Sequence, residues 1–140
     1  MMKIKTMASV FLMALPILIL SCKKEKADTE KPKIKMNSSI EAAEYKAGET
    51  IVFNATFTDN IALSEYDIDI HNGAGHGHGR MMGMWETKIS GELSGIMHII
   101  KKEMNIPNDA DTGTYHMIVN ALDKAGNEAE FVEIDFKIIL

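Results

Sequence analysis

The sequence is short of cysteine, proline and aromatic residues: it has one Cys, three Pro and one Trp in 140 positions, and aromatic side chains make up 6% of it. A single thiol excludes an intrachain disulfide framework and any zinc finger built on cysteines. Positive charge is also scarce. Fifteen Lys and Arg against 20 Asp and Glu leave a formal net charge of -5, without the clustered basic residues that nucleic acid requires, so no nucleic-acid partner is expected. No segment carries a 3.6-residue apolar stripe between helix caps. No Ser/His/Asp or Cys/His nucleophile motif is recognisable and no general base is positioned by sequence, so the chain is not expected to be an enzyme. The length suits one ordinary domain and excludes large architectures such as a (β/α)8 barrel. What is present, 46% hydrophobic and 25% charged residues, is a globular balance.

Residues 1–21 read as an export signal. Lys3 and Lys5 form a basic head, and an apolar run from Met7 to Leu20 follows, broken only by Ser9 and Pro16. That run is short of the roughly 20 residues a bilayer span needs, but it suits a signal-peptide core. It ends Leu18-Ile19-Leu20-Ser21-Cys22, which resembles the bacterial lipobox. The resemblance implies cleavage before Cys22 and a diacylglycerol on its thiol, giving an outer-membrane lipoprotein held by acyl chains. Loss of residues 1–21 removes two lysines and takes the formal charge from -5 to -7. Residues 22–32, charged and without apolar periodicity, read as a solvated tether. Their charges loosely resemble surface-export signals of Bacteroidota lipoproteins, but lysines break the acidic part. Periplasmic and surface-facing display both stay open.

Residues 33–140 carry a period of two with turns at regular spacing. Ile34 and Met36 alternate with Lys33 and Lys35, and Thr50–Thr58 is rich in β-branched and aromatic residues. Tyr66, Ile68 and Ile70 alternate with Asp67, Asp69 and His71. Further strands are expected over Trp85–Ile89, Ile96–Ile106, Gly113–Asp123 and Phe131–Leu140, about seven in all, which argues for an all-β sandwich. Gly113-x-Tyr115 with Ala125-Gly126-Asn127 resembles the final hairpin of bacterial immunoglobulin-like domains, and Phe57–Asn60 with Leu63 and Tyr66–His71 resembles their second and third strands. With the lipobox and a His-Gly segment, the chain resembles a Bacteroidota-type lipoprotein family with an immunoglobulin-like domain of unknown function. That implies the fold and an envelope location, and no activity.

All five histidines lie between positions 71 and 116, three of them in His71-Asn72-Gly73-Ala74-Gly75-His76-Gly77-His78. Imidazole is a common nitrogen ligand for zinc, copper and nickel, and the glycines let the backbone bring side chains round a small ion. In an immunoglobulin-like sandwich the third and sixth strands are antiparallel neighbours. With Tyr66, Ile68 and Ile70 inward, His71 points outward; with Tyr115, Met117, Val119 and Ala121 inward, His116 points outward on the same face. Directly opposed residues stand about 4.5–5.5 Å apart between Cβ atoms, close enough to share one cation. The expected metal set is His71, His76, His78 and His116, with Asp69, Met81 and Met84 as outer partners or extra ligands. Thioethers favour Cu(I), whereas nitrogen with carboxylate or water suits Zn(II). The ion is zinc or copper, with zinc ahead.

The expected function is transition-metal capture, or delivery to an outer-membrane importer. The alternative is a structural or adhesive module that binds protein or glycan without metal, with Trp85 as its likeliest anchor, although a core tryptophan is the more common case. His98 has ambiguous parity: an unbroken strand buries it with Ile96 and Ile100, and a bulge reverses it. Asn108–Gly113 lacks the length and terminal Glu of an EF-hand and reads as a turn before Tyr115, a core or corner tyrosine. Asp123 and Asn127 bracket the last hairpin and are read as holding its turn rather than calcium.

Overall fold

The alternation expected from the sequence is realised in eight strands: β1 (Lys33–Met36), β2 (Glu44–Lys46), β3 (Thr50–Thr58), β4 (Leu63–Asn72), β5 (Thr87–Glu92), β6 (Met97–Asn105), β7 (Gly113–Asp123) and β8 (Val132–Ile139). The computed structural model describes residues 27–41, 43–73 and 85–140, and there is no helix among them. The strands form a three-stranded sheet, β1-β3-β6, facing a five-stranded sheet, β2-β8-β7-β4-β5. All pairings are antiparallel except β2 with β8. The fold is an all-β, immunoglobulin-like sandwich.

The inward rows are Ile51, Phe53, Ala55 and Phe57 from one sheet and Ile68, Ile70, Tyr115, Met117, Val119, Phe136 and Ile138 from the other, all almost inaccessible to water. Each large apolar side chain so placed contributes about 1.5–3 kcal/mol, and the regular alternation is what directs all of them to one side. Tyr115 stacks on Phe136 with centroids 5.7 Å apart, and its hydroxyl donates to the Asp111 carbonyl at 2.9 Å. It is therefore both a core residue and a corner tyrosine, anchoring the turn that feeds β7.

Two expected strand starts need correction, and the place of Trp85 is settled. The strand expected over Trp85–Ile89 starts later, at Thr87, and Trp85 is core: it is 8% exposed and packs on Tyr115 and Phe136 at 6.1 and 6.4 Å. A tryptophan so covered is not a surface anchor. Ile96 lies before β6 and is 60% exposed. The strand missed by sequence is β2, three residues held by parallel pairing to β8, too short for any periodicity to register.

His98 is resolved by register. It stands opposite Phe57 on the inward side of β6, half-buried, and its Nδ1 accepts the Ser94 N–H at 3.0 Å. Its place is structural.

At the β7–β8 turn, Asp123 accepts hydrogen bonds from the Asn127 backbone N–H and side-chain amide at 2.8 and 2.6 Å, and Gly126 takes a positive φ of 87°. Burial pushes the Asp123 carboxyl up, but hydrogen bonds from Asn127, Ala125 and Gly126 outweigh it and hold it below the ordinary aspartate value.

Candidate metal centre

Register across the five-stranded sheet puts His71 of β4 directly opposite His116 of β7, and His116 directly opposite Asp135 of β8. The next row outward holds Lys88, Asp69, Ile118 and Glu133. All of these face away from the core, because their neighbours Ile70, Met117, Ile134 and Phe136 fill it. The two imidazole centroids lie 5.6 Å apart with planes inclined at 47°. An imidazole centroid sits about 1.2 Å from its nitrogens and a Zn–N bond is about 2.0–2.1 Å, so two rings on one tetrahedral ion have centroids about 5.2 Å apart. The pair is within a few tenths of an ångström of that spacing.

Both rings are oriented by carboxylates. His71 Nδ1 lies 2.9 Å from Asp69 Oδ1, and His116 Nδ1 lies 2.6 Å from Asp135 Oδ1 and 3.4 Å from Glu133 Oε1. A carboxylate only accepts, so each Nδ1 is the donor in its pair, and in the neutral ring this leaves Nε2 as the nitrogen with the lone pair. A histidine backed this way is held in one orientation, as in carboxylate–histidine–zinc arrangements. His116 and one oxygen each of Glu133 and Asp135 also lie within 4.8 Å of one another, so the carboxylates gather on the His116 side of the pair.

Gly73 adds a steric constraint. A Cβ built there stands 2.5 Å from His116 Nε2, so the chain leaving β4 crosses the free nitrogen at a distance only glycine permits. Gly73 is fixed by its N–H, which donates to the Thr114 carbonyl at 2.8 Å. Beside the pair, a groove of about 390 Å³ runs along the sheet, lined by Asp67, Asp69, His71, Lys88, Asn120 and the 62% exposed Phe131.

The sequence reading of His71 and His116 as outward neighbours on one face therefore agrees with the register. Asp69 meets His71 as expected, whereas Asp67 faces Lys88 at 3.9 Å. Glu133 and Asp135 were missed, although the alternation of Ile134, Phe136 and Ile138 already turns them outward on a strand paired with β7. Cys22, His76, His78, Met81 and Met84 lie outside the described residues, as does the whole of 1–21.

Residues 20–139 match the family described as Domain of unknown function (DUF4625), and the chain belongs to that family. No curated protein matches the sequence. Among solved structures, the chain is similar to catalytic inactive OgpA from Akkermansia muciniphila in complex with an O-glycopeptide (glycodrosocin) substrate, at 8% identity and a TM-score of 0.53, covering 84% of this chain and 32% of that one. The chain thus spans about a third of OgpA, and the likeness is one of fold. The PKD domain of an M14-like peptidase from Thermoplasmatales archaeon SCGC AB-540-F20 is similar at 17% identity and a TM-score of 0.46, covering 79% of this chain and 94% of that domain.

Proposed function

We propose that this DUF4625 domain is the transition-metal-binding part of a Bacteroidota-type cell-envelope lipoprotein, taking up zinc or copper for capture or delivery rather than for catalysis. The observation that carries the reading is the opposed His71–His116 pair, spaced for one ion and backed on both sides by carboxylates. Two imidazoles with nearby carboxylates favour Zn(II) over Cu(I). His76 lies three residues beyond Gly73, so extended chain carries it at most about 10–11 Å from that glycine, within reach of the free His116 nitrogen. In this reading His76 and His78 complete a three- or four-nitrogen set.

Export and anchoring rest on the sequence: the basic head, the short apolar run and Leu18-Ile19-Leu20-Ser21-Cys22. Acylated Cys22 holds the domain to the outer membrane, facing the periplasm or the exterior, and an outer-membrane importer is the natural recipient of a captured ion.

The test is metal content of the full chain purified without a polyhistidine tag. About one zinc or copper per chain is expected, with near-complete loss in the His71→Ala/His116→Ala double variant. Metal-free protein that takes up neither ion more tightly than about 10 μM at pH 7, where free imidazole is mostly neutral, overturns the reading.

A second reading, a binding module that needs no metal, is favoured by one observation. Val52, Met97 and Ile99 are 43%, 62% and 61% exposed on the outer face of the β3–β6 pair. Under it, partner binding survives chelation and the double histidine substitution unchanged.

A further inference from the structure

The end of the sandwich opposite the histidine pair gathers three carboxylates with no part in that centre. Asp28 precedes β1, Asp59 follows β3 and Asp123 closes β7, and one oxygen from each lies within 4.8 Å of the other two. Asp123 is 3% exposed. Asp59 Oδ2 accepts the N–H groups of Ile61 and Ala62 at 2.8 and 2.7 Å, but its Oδ1 is fully buried and has no hydrogen-bond donor. It is the only buried side-chain polar atom among the described residues left in that state. Among the described residues, none of the three carboxylates is in an ion pair. A buried carboxylate oxygen with no donor costs free energy, and two more carboxylates beside it add repulsion. A cation at that point relieves both.

We propose that Asp28, Asp59 and Asp123 form a binding site for a divalent calcium ion. The donors are oxygens only, the preference of a hard cation, with neither nitrogen nor sulfur to favour zinc. Calcium takes its oxygens in a flexible geometry, whereas Mg²⁺ demands near-ideal octahedral geometry and resists dehydration. Carboxylates brought from three separate stretches of chain therefore suit calcium better. The Asp28 backbone carbonyl, which accepts the Asn127 side-chain amide at 3.3 Å, lies beside the same carboxylates as a further oxygen. Water supplies the rest of the six to eight ligands calcium takes.

The ion joins three stretches far apart in sequence. It clips the segment before β1, already hydrogen-bonded from Asn60 to Asp28 Oδ1 at 3.0 Å, onto the β3–β4 turn and the end of β7. Its distance from the histidine pair follows from β4: Leu63 and His71 are eight residues apart on one strand, about 26 Å. The two centres are independent.

The experiment is thermal unfolding of the full chain, solubilised in detergent and stripped with chelator, during titration with CaCl2 and in parallel with MgCl2. A half-maximal response between about 0.1 and 1 mM is expected for an extracellular-type calcium site, with a rise in Tm of about 5–10 °C at 10 mM and a smaller rise with magnesium. Asp59→Asn keeps an acceptor for Ile61 and Ala62 and places an amide donor among the carboxylates. It is expected to fold and to lose at least four-fifths of the calcium response. Asp28→Asn, at a partly exposed position, provides a second variant with the same expected loss. The His71→Ala/His116→Ala variant keeps the full calcium response, which separates this site from the transition-metal centre. An unshifted wild-type melt at 10 mM calcium overturns the proposal, and so does a wild-type response in both aspartate variants.

Discussion

His71 and His116 stand opposite one another on β4 and β7 with ring centroids 5.6 Å apart, and each leans on a different carboxylate, Asp69 on the same strand and Asp135 on the neighbouring β8. Three strands thus contribute to one patch of sheet surface. Rigid strands hold such groups better than a loop does, because the ladder on either side fixes their backbone.

The carboxylates behind the rings are expected to matter to the metal more than to the fold. Asp69→Asn and Asp135→Asn should each lower zinc affinity about 10–100-fold, read by competition with a chromophoric chelator. Both side chains are substantially exposed, so stability should change by no more than about 0.5 kcal/mol. Unchanged affinity in both variants would remove the carboxylates from the centre.

Gly73 is expected to be intolerant of any side chain. An alanine Cβ at 2.5 Å from His116 Nε2 must displace either the ring or the chain leaving β4. Gly73→Ala should weaken zinc binding at least tenfold while the sandwich melts within a few degrees of wild type. Two-dimensional NMR of the His116 ring would report the displacement.

The segment between β4 and β5 can be tested apart from the sheet. Replacing residues 74–84 with a short Gly-Ser linker should leave the melting temperature near that of the parent. Zinc affinity should fall at least tenfold, and further still when His71 and His116 are also replaced. Equal affinity with and without residues 74–84 would mean that the sheet residues bind alone.

Trp85 and Tyr115 test the core beneath the centre. Trp85→Ala leaves a cavity against Tyr115 and Phe136 and should cost about 3–5 kcal/mol. Tyr115→Phe keeps the ring and removes only the hydrogen bond to the Asp111 carbonyl, at about 1 kcal/mol. Urea unfolding measures both, and a mild Trp85→Ala would return that residue to the list of surface contacts.

The sandwich was legible because its strands alternate cleanly: the inward row of β4 and that of β7 each follow from parity alone, and the outward positions of His71 and His116 follow with them. Asp135 and Glu133 were equally readable in principle. Exposed carboxylates are ordinary on a solvated strand, and only the pairing of β8 with β7 sets these two beside His116. β2 lay beyond reach for another reason, since three residues carry no period and their partner in β8 is about ninety positions away. The Asp28–Asp59–Asp123 cluster shows the same limit. Each aspartate alone reads as a turn or tether residue, and only the folded chain brings them within 4.8 Å.

The length of β4 sets the two ends of the molecule at different tasks. Asp28, near the start of β4, follows Cys22 by six residues, so on the proposed acyl anchoring the aspartate cluster is the pole nearest the bilayer. The imidazoles sit at the far pole, where a large docking protein can approach head-on without being crowded by lipid. Cargo exchange would then be a transaction with something arriving from the aqueous side, and lengthening or shortening the leash would alter how far that pole can roam without altering its grip.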